Sequence, residues 1–330
     1  MFLLSNCTEC GDCLSKCVYI EIDGEEAKKE FRNLIDGKPS PVISQCVSCM
    51  ACDEICLEKA NPFSLIVKRQ EEQNEIDRFG KAKQMMEDAY TIPSKIEKRG
   101  EGGPVIGLCI YTGTPDLFEG VLFENATFFM GGEYFCGIGF YHIGAESPVK
   151  EKARAIVEGV TRVGAKDVVF YHDDCYTFFK VTAPEFGLEV PFRPISWPEF
   201  LYRRMKDLKG RIRPIHRKVA YQRPCASRYT PEKDHYVDEI FHLIGAEKPS
   251  RSYEGVTALC CGGAVVPRDW ELADRIKHQN LHDASEAGAE IMVTLCPMCF
   301  ASLKKRAAQH NLKILPLSQL CRVALEEVKI

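Results

Sequence analysis

The last third of the chain contains cysteines whose spacing is typical of a metal centre. They are Cys225, Cys260, Cys261, Cys296 and Cys299. Five thiols exceed the four that a tetrahedral zinc ion or a single cubane takes. Adjacent cysteines cannot easily chelate one ion because successive side chains diverge, but they can bind two irons of a larger cluster. The pattern therefore predicts an unusual iron–sulfur cluster held by three separated loops.

Two other uses of these thiols stay open at this point. A zinc site could use one member of the Cys260/Cys261 pair, because the motif Cys296-Pro-Met-Cys299 suits zinc equally well. Buried free thiols or a vicinal disulfide would also be compatible with the composition. Neither explains the grouping of all five residues as well as a cluster does.

The first 60 residues contain a second cysteine pattern, and it occurs twice. Cys-x-x-Cys-x-x-Cys-x-x-x-Cys is formed by Cys7, Cys10, Cys13 and Cys17, and again by Cys46, Cys49, Cys52 and Cys56. In this spacing one loop binds three corners of a [4Fe–4S] cube, and the fourth cysteine ligates the other cluster of a two-cluster ferredoxin. The predicted cubanes are Cys7, Cys10, Cys13 and Cys56 for the first, and Cys46, Cys49, Cys52 and Cys17 for the second.

The surroundings of these motifs differ from those of a small bacterial ferredoxin. Val18 and Leu57 follow the fourth cysteines, where proline is usual. Residues 25–35 have the apolar spacing of a helix. We therefore expect a largely helical ferredoxin domain over residues 1–90, in which 62–90 form a charged, solvated spacer, and a linker over residues 91–103.

The rest of the chain is predicted to form two α/β repeats, at residues 104–216 and 217–330. Strands are expected at 104–110, 167–171 and 188–195 in the first copy, and at 218–221, 290–295 and 313–317 in the second. Helices are expected from 147 to 163 and from 268 to 287. Alternating strands and helices predict parallel sheets of a Rossmann-like α/β class, with ligands at the carboxyl ends of the strands.

The two copies differ at the ligand positions. Cys109, Cys136 and Cys175 of the first copy match Cys225, Cys261 and Cys296, whereas Phe135 and Phe178 stand where the second copy has Cys260 and Cys299. The three remaining thiols could hold a smaller cluster with help from His142, His172, Asp173 or Asp174. Apolar filling by two phenylalanines favours instead a degenerate, structural repeat.

Composition narrows the class of protein. The 330 residues include 17 cysteines, an odd number in metal-type spacings, which argues against the disulfide framework of a secreted domain. The net charge of −4 does not suggest a nucleic-acid partner. The first residues have no basic segment of a signal peptide, and the sequence has no apolar run of transmembrane length. A cytoplasmic protein, peripheral to a membrane at most, is expected.

The remaining motifs are weak. Gly137-x-Gly139 begins a dinucleotide-binding pattern, but His142 occupies the third glycine position. Residues 203–218 are strongly basic, which fits a solvated linker better than a dock for an acidic partner. Arg223 and Arg228 could steer an anion or balance thiolate charge. Cys321 is expected to be an ordinary packed thiol, and the histidines to be structural or surface residues.

Both cysteine sets together resemble a known domain order. The second repeat is similar to the cysteine-rich CCG domain family, and a two-cluster ferredoxin followed by two CCG repeats resembles the iron–sulfur subunits of heterodisulfide reductases. The iron–sulfur subunits of glycolate, lactate and glycerol-3-phosphate oxidoreductases are similar as well. The resemblance covers nearly the whole chain, and the CCG pattern is specific for the family but not for a substrate.

The resemblance implies two [4Fe–4S] cubanes that feed a noncubane [4Fe–4S] cluster on the five cysteines. In heterodisulfide reductase the disulfide of coenzyme M and coenzyme B is cleaved at such clusters, so an oxidoreductase acting on a disulfide or thiol is expected. The alternative is a non-catalytic electron relay. Either role implies a redox partner subunit of the flavoprotein, hydrogenase or dehydrogenase type.

Overall fold

The computed structural model describes residues 1–111 and 116–330. The first 90 residues are helical, as the sequence predicts. Their α-helices are α1 (Asp12–Ser15), α2 (Gly24–Ile35), α3 (Val42–Gln45), α4 (Ala51–Ile55), α5 (Pro62–Glu72) and α6 (Lys81–Ala89). Helix α2 starts at Asp23, whose carboxylate accepts hydrogen bonds from the backbone N–H groups of Glu25 and Glu26. Its apolar face packs over the cysteine loops through Phe31 and Leu34.

Helix α5 is part of the core and not a solvated spacer, so that expectation is wrong. Leu65 and Ile66 pack against the core of the N-terminal unit, while Phe63 and Val67 pack into the core of the following α/β unit. The carboxylate of Glu71 also accepts hydrogen bonds from the first backbone N–H groups of the next long helix. Two opposite faces of one short helix thus join the N-terminal unit to the rest of the chain.

A five-stranded sheet follows. Its strands are β1 (Lys95–Lys98), β2 (Val105–Gly107), β3 (Thr127–Met130), β4 (Asp167–Phe170) and β5 (Arg193–Ser196). The strand order is β1-β3-β2-β4-β5, and all neighbours are parallel except β1, which runs antiparallel to β3. The helices of this unit are α7 (Ser147–Arg162), α8 (Asp173–Thr177), α9 (Ala183–Glu185) and α10 (Trp197–Asp207).

The segment predicted as a linker, residues 91–103, contains β1. Its four residues pair with β3 and form the outermost strand on that side of the first sheet. The sequence does not reveal this strand by itself, because its pairing partner β3, with the apolar run Thr-Phe-Phe-Met, is not among the expected strands.

The second unit repeats this arrangement with a smaller sheet. Its strands are β6 (Val219–Gln222), β7 (Ile291–Thr294) and β8 (Lys313–Pro316), all parallel in the order β6-β7-β8. Its helices are α11 (His235–Leu243), α12 (Trp270–Glu286), α13 (Pro297–Ala307) and α14 (Leu317–Ala324). A single parallel bridge between Lys218 and Glu247 stands where the first unit has β3 beside β2. The predicted α/β class with parallel sheets is confirmed.

One apolar core joins the two sheets. Phe128 and Val169 of the first unit and Val219 and Ile291 of the second belong to the same buried cluster, which α10 and α14 complete. The units are therefore packed together and are not joined only by a flexible connection.

Among the described residues, none of the helices combines the length and apolarity needed to cross a membrane.

The apolar core that joins the two units should contribute to the free energy of unfolding. Met205 on α10 is fully buried between the units, whereas Met85 on α6 is 72% exposed. We expect Met205→Ala to lower the free energy of unfolding by about 2–5 kcal/mol, because the substitution leaves a cavity. Met85→Ala is the matched control, and we expect a change within about 0.5 kcal/mol. Urea unfolding followed by circular dichroism under anaerobic conditions measures both, and equal effects would contradict this description of the core.

Candidate metal centre

The strand ends bring cysteines from distant parts of the sequence together. In each unit two neighbouring parallel strands end at the same sheet edge, and one cysteine follows each strand within a few residues. Those cysteines are Cys109 after β2, Cys175 after β4, Cys225 after β6 and Cys296 after β7. In the first unit the chain order reverses between β2 and β4, and this reversal opens a crevice that commonly holds ligands in α/β sheets.

In the second unit the five predicted thiols form one continuous group. The Sγ atoms of Cys225 and Cys260 are 3.9 Å apart. The thiol of Cys299 exchanges hydrogen bonds with both Cys261 and Cys296. Cys260, Cys261, Cys296 and Cys299 are buried, while Cys225 is half-buried. The three loops named by the sequence pattern therefore converge in the structure.

The backbone of the Cys-Cys-Gly turn is shaped to support negatively charged sulfur. Gly262 has φ of 72° and donates its N–H to the Sγ of Cys260 at 3.3 Å. Gly263 donates to the Sγ of Cys261 at 3.4 Å. Hydrogen bonds from Cys260 and Cys299 hold the pKa of Cys261 well below its usual range, and one from Cys299 lowers the pKa of Cys296 to about 6. Thiolates are the form of cysteine that binds metals.

In the first unit three thiols lie even closer together. The Sγ atoms of Cys109, Cys136 and Cys175 are all within 4.8 Å of one another. One pair, Cys136 and Cys175, has its Sγ atoms 3.5 Å apart. Phe135 and Phe178 are buried at the two missing ligand positions. The residues present therefore do not fit a five-thiolate cluster.

His172 links the two thiol groups, and sequence reasoning underrated it. Its side chain is 14% exposed, and Nε2 lies 3.3 Å from the Sγ of Cys296 in the other unit. It also contacts Cys109. Burial alone would lower the pKa of His172, but the nearby charges of Asp174 and Cys296 outweigh it and raise the pKa well above its usual value. No sequence spacing connects residues 172 and 296, so only the fold reveals this contact.

The first N-terminal set encloses a cavity. A space of about 210 Å³ is lined by all the cysteines that we assigned to the first cubane, namely Cys7, Cys10, Cys13 and Cys56, and by Phe31 and Ile55. Burial raises the pKa of Cys13, and the neighbouring thiols of Cys56, Cys10 and Cys7 raise it further. Four thiols around a cavity of this size are a donor set that suits a [4Fe–4S] cube.

The second N-terminal set lies deeper in the molecule. Burial raises the pKa of Cys46, Cys49 and Cys52. The neighbouring thiol of Cys17 raises the pKa of Cys46 and of Cys49 further, and the thiols of Cys46 and Cys49 do the same for Cys52. Burial raises the pKa of Cys49 to about 12. Since a buried thiol at this pKa is protonated at neutral pH, a bound cation is needed to stabilise the thiolate.

The two N-terminal loops share one backbone geometry. Glu9 and Ser48 both have positive φ, at 54° and 55°, and their N–H groups donate to Cys7 and Cys46 at 3.4 Å. Two residues further on, Gly11 and Met50 have φ of 78° and 63°. Methionine rarely adopts a left-handed conformation. Its presence at the position equivalent to a glycine indicates that the loop geometry is imposed by the cysteine arrangement.

The second N-terminal set adjoins the five-thiol group. Cys49 lies close enough to Cys225 that the thiol of Cys225 adds to the effect of burial in raising the pKa of Cys49. Between the two sets, Tyr19 accepts a hydrogen bond from the backbone N–H of Cys260 at 2.6 Å. His142 of the first unit contacts the backbone oxygen of Ser48 at 3.0 Å and lies near Cys261. The order along the molecule is therefore first N-terminal set, second N-terminal set, five-thiol group.

A buried ion pair fixes this contact. Glu54 of α4 receives a bidentate hydrogen bond from Arg223 at 2.6 and 3.0 Å and a further bond from Arg228 at 3.3 Å. Arg228 also donates to the backbone oxygens of Cys49 and Ala258. Both arginines are 6% exposed. Their partners are carboxylates and backbone oxygens of the protein, so both arginines are buried hydrogen-bonding groups and do not face the solvent from which an anion would come.

The weaker sequence candidates are also placed. Basic residues of the segment 203–218 form surface ion pairs, such as Arg217 with Glu290 at 2.5 Å and Lys218 with Glu247 at 3.8 Å, in agreement with a solvated linker. A side chain at Gly137 would collide with the hydroxyl of Tyr90, so the glycine is required by packing. Cys321 is fully buried in α14, as expected of a packed thiol.

Comparison with known proteins agrees with this geometry. Residues 219–304 match the family model described as a cysteine-rich (CCG) domain. The matched region begins at β6 and ends in α13, so it contains all five thiols of the second unit. The chain thus carries a CCG cysteine-rich domain, and the resemblance drawn from the cysteine spacing is confirmed.

The curated relatives belong to one enzyme, the dihydromethanophenazine:CoB–CoM heterodisulfide reductase. The chain is 28% identical over 181 residues to one of the subunits of this enzyme from Methanosarcina barkeri, which is 52% of this chain and 44% of the relative. The corresponding protein of Methanosarcina mazei is 28% identical over 179 residues, with the same coverage. That of Methanosarcina acetivorans is 27% identical over 181 residues. The match spans less than half the length of these relatives.

The ion pairs of Glu54 with Arg223 and Arg228 should contribute to the stability of the folded protein. Glu54→Ala leaves two buried guanidinium groups without their shared carboxylate, and we expect a loss of about 3–5 kcal/mol in the free energy of unfolding. Glu25→Ala on α2, which removes an ion pair with the exposed Lys28, is the control and should leave the unfolding midpoint almost unchanged. Anaerobic denaturation measures both variants. A stable Glu54→Ala protein would show that the contact is incidental.

Proposed function

We propose that this protein is an iron–sulfur oxidoreductase subunit of the heterodisulfide reductase type. Residues 1–90 form a two-cluster ferredoxin domain, and 104–216 and 217–330 form two Rossmann-like repeats of the CCG type. One cubane would be held by Cys7, Cys10, Cys13 and Cys56, a second by Cys46, Cys49, Cys52 and Cys17, and a noncubane cluster by Cys225, Cys260, Cys261, Cys296 and Cys299. Bound there, these groups would supply one-electron transfer along the chain of thiol sets.

One observation carries this proposal. The second four-cysteine set lies directly against the five-thiol group, with Cys49 near Cys225 and Tyr19 hydrogen-bonded to Cys260. Two donor sets that served only structural roles would not need to be adjacent. The bonds of Arg228 to the backbone on both sides, at Cys49 and Ala258, hold the sets at a fixed separation.

The chain's own residues explain how a substrate could reach the five-thiol group. Cys225 is half-buried, and Met298 between Cys296 and Cys299 is 57% exposed, so this edge of the group lies close to the surface. A cluster at this place would supply electrons to a disulfide, whose cleavage to two thiols takes two electrons and two protons. The N–H groups of Gly262 and Gly263 donate hydrogen bonds to the sulfurs of Cys260 and Cys261, where such a cluster would be held.

A second role is supported by the first unit. Because Phe135 and Phe178 replace two ligands, the chain has one complete CCG set. A protein with one such set could be a non-catalytic relay between a flavoprotein, hydrogenase or dehydrogenase partner and another enzyme. The partners named here rest on the similarity to part of a heterodisulfide reductase and belong to the proposal.

The iron content tests the assignment of the clusters. We expect about twelve irons per chain in the anaerobically purified protein, from four irons at each of three centres. Cys261→Ser should lower the content to about eight, because it removes a ligand of the third centre. Cys136→Ser at the equivalent position of the first unit should keep about twelve, and so should Cys321→Ser. Equal iron loss in Cys136→Ser and Cys261→Ser would contradict a single noncubane cluster.

The response to thiols separates the two roles. For a disulfide-active enzyme we expect a paramagnetic state on oxidation that appears only with a thiol substrate present, because sulfur then binds at the third centre. Electron paramagnetic resonance during a redox titration, with and without coenzyme M and coenzyme B, measures it. The relay would be favoured if the clusters can be reduced, their signals do not change when either thiol is added, and the protein does not reduce a disulfide with electrons from an artificial donor.

A further inference from the structure

Three of the eight histidines form a group on the second unit, away from the cysteines. His278 and His282 lie on α12, and His310 ends the 3-10 turn Ala308–His310 that follows α13. Their ring centroids are separated by 4.9 Å for His278 and His310, 5.8 Å for His278 and His282, and 6.3 Å for His282 and His310. The expectation that the histidines are structural or surface residues overlooked this group, because His310 is distant in sequence from the other two.

The separation of the three rings is compatible with a metal site. Residues four positions apart project from the same face of a helix, and histidine pairs at this spacing bind zinc in other proteins. A tetrahedral ion with Zn–N bonds of about 2.0–2.1 Å places the ring centroids of its histidines roughly 5 Å apart. The observed separations are close to this value. The ring nitrogens do not all lie within 4.8 Å of one another, so a bound ion would require the side chains to turn to other staggered rotamers.

The backbone beneath the group is rigid. Ser285 of α12 donates its hydroxyl to the backbone oxygen of His310 at 3.0 Å, which ties the turn to the helix. Below the surface, Ile276 of α12 and Leu303 and Ala307 of α13 belong to one buried cluster. The positions from which the three imidazoles project are therefore already fixed, and a metal ion would not have to order them.

Carboxylates lie beside the group. The nearby cation, Arg306, is paired with Asp274, which offsets its positive charge. The carboxylate of Glu286 lies 4.0 Å from Nδ1 of His282 and adds negative charge beside the group.

We propose that His278, His282 and His310 bind a divalent late first-row cation, with Zn²⁺ the best fit, and that water or Glu286 fills the fourth position. Imidazole suits zinc, copper and nickel, and oxygen-preferring Mg²⁺ and Ca²⁺ do not fit a three-nitrogen donor set. The ion would cross-link α12 to the turn after α13. It is separate from the iron–sulfur ligands, because the nearest of them in sequence, Cys299 in the first turn of α13, is nine residues and roughly 13 Å of helix away from the start of this turn at Ala308.

The test uses the anaerobic holoprotein with its clusters in place and no histidine tag. We expect one Zn²⁺ to bind in competition with a chromophoric chelator. X-ray absorption at the zinc edge should show nitrogen neighbours at about 2.0 Å and none of the Zn–S distances of about 2.3 Å that a cysteine site gives. Loss of an outer-shell partner alone weakens metal affinity by about 10- to 100-fold, so His282→Gln or His310→Gln should weaken binding by at least about tenfold.

The control is His242→Gln, an exposed histidine at the end of α11 that is outside the group. It should bind Zn²⁺ like the wild type. Iron content reports that each variant is folded and that its clusters are intact. Sulfur-coordinated zinc with equal affinity in the wild type and in both group variants would overturn the proposal, as would the absence of any zinc binding by the wild-type holoprotein.

Discussion

Parallel strands that lie side by side end at the same edge of a sheet, and the candidate centres of this protein depend on that constraint. In both α/β units a cysteine follows each of two adjacent strands. The pairing of the strands therefore brings together thiols that are 66 residues apart in the first unit and 71 residues apart in the second. The Cys-Cys-Gly turn of the second unit then adds its pair from the side. The same scaffold carries a complete set in one unit and a reduced set in the other.

The N-terminal unit uses a different principle for the same chemistry. Its fold is helical, and two loops with matching positive φ values, at Glu9 and Gly11 and at Ser48 and Met50, present the thiols. Helix α5 and the Glu54 ion pair then hold this unit against both α/β units. The second loop carries Cys49, whose backbone oxygen is bonded by Arg228 of the second α/β unit. The contact that holds the units together therefore lies on the proposed route of electrons.

Local sequence patterns predicted much of this structure. The strands at residues 167–170 and 291–294 and the helix α7 start or end within about two residues of the positions that periodicity and capping indicate. Strand β1, the buried role of α5, and the contacts of His172 and Tyr19 could not be predicted, since each depends on a partner far away in sequence. The group of His278, His282 and His310 was missed for the same reason. Short-range spacing predicts ligands of one loop, whereas contacts between loops follow from the fold.

We propose that the five cysteines of the second unit hold a cluster unlike the two N-terminal ones. The Mössbauer spectrum of the intact protein, produced with isotopically enriched iron and kept anaerobic, distinguishes such clusters. We expect about two thirds of the iron in sites typical of [4Fe–4S] cubanes and about one third in a distinct class, because two centres of one kind accompany one of the other. A spectrum in which cubane-type sites account for all of the iron would contradict the proposal.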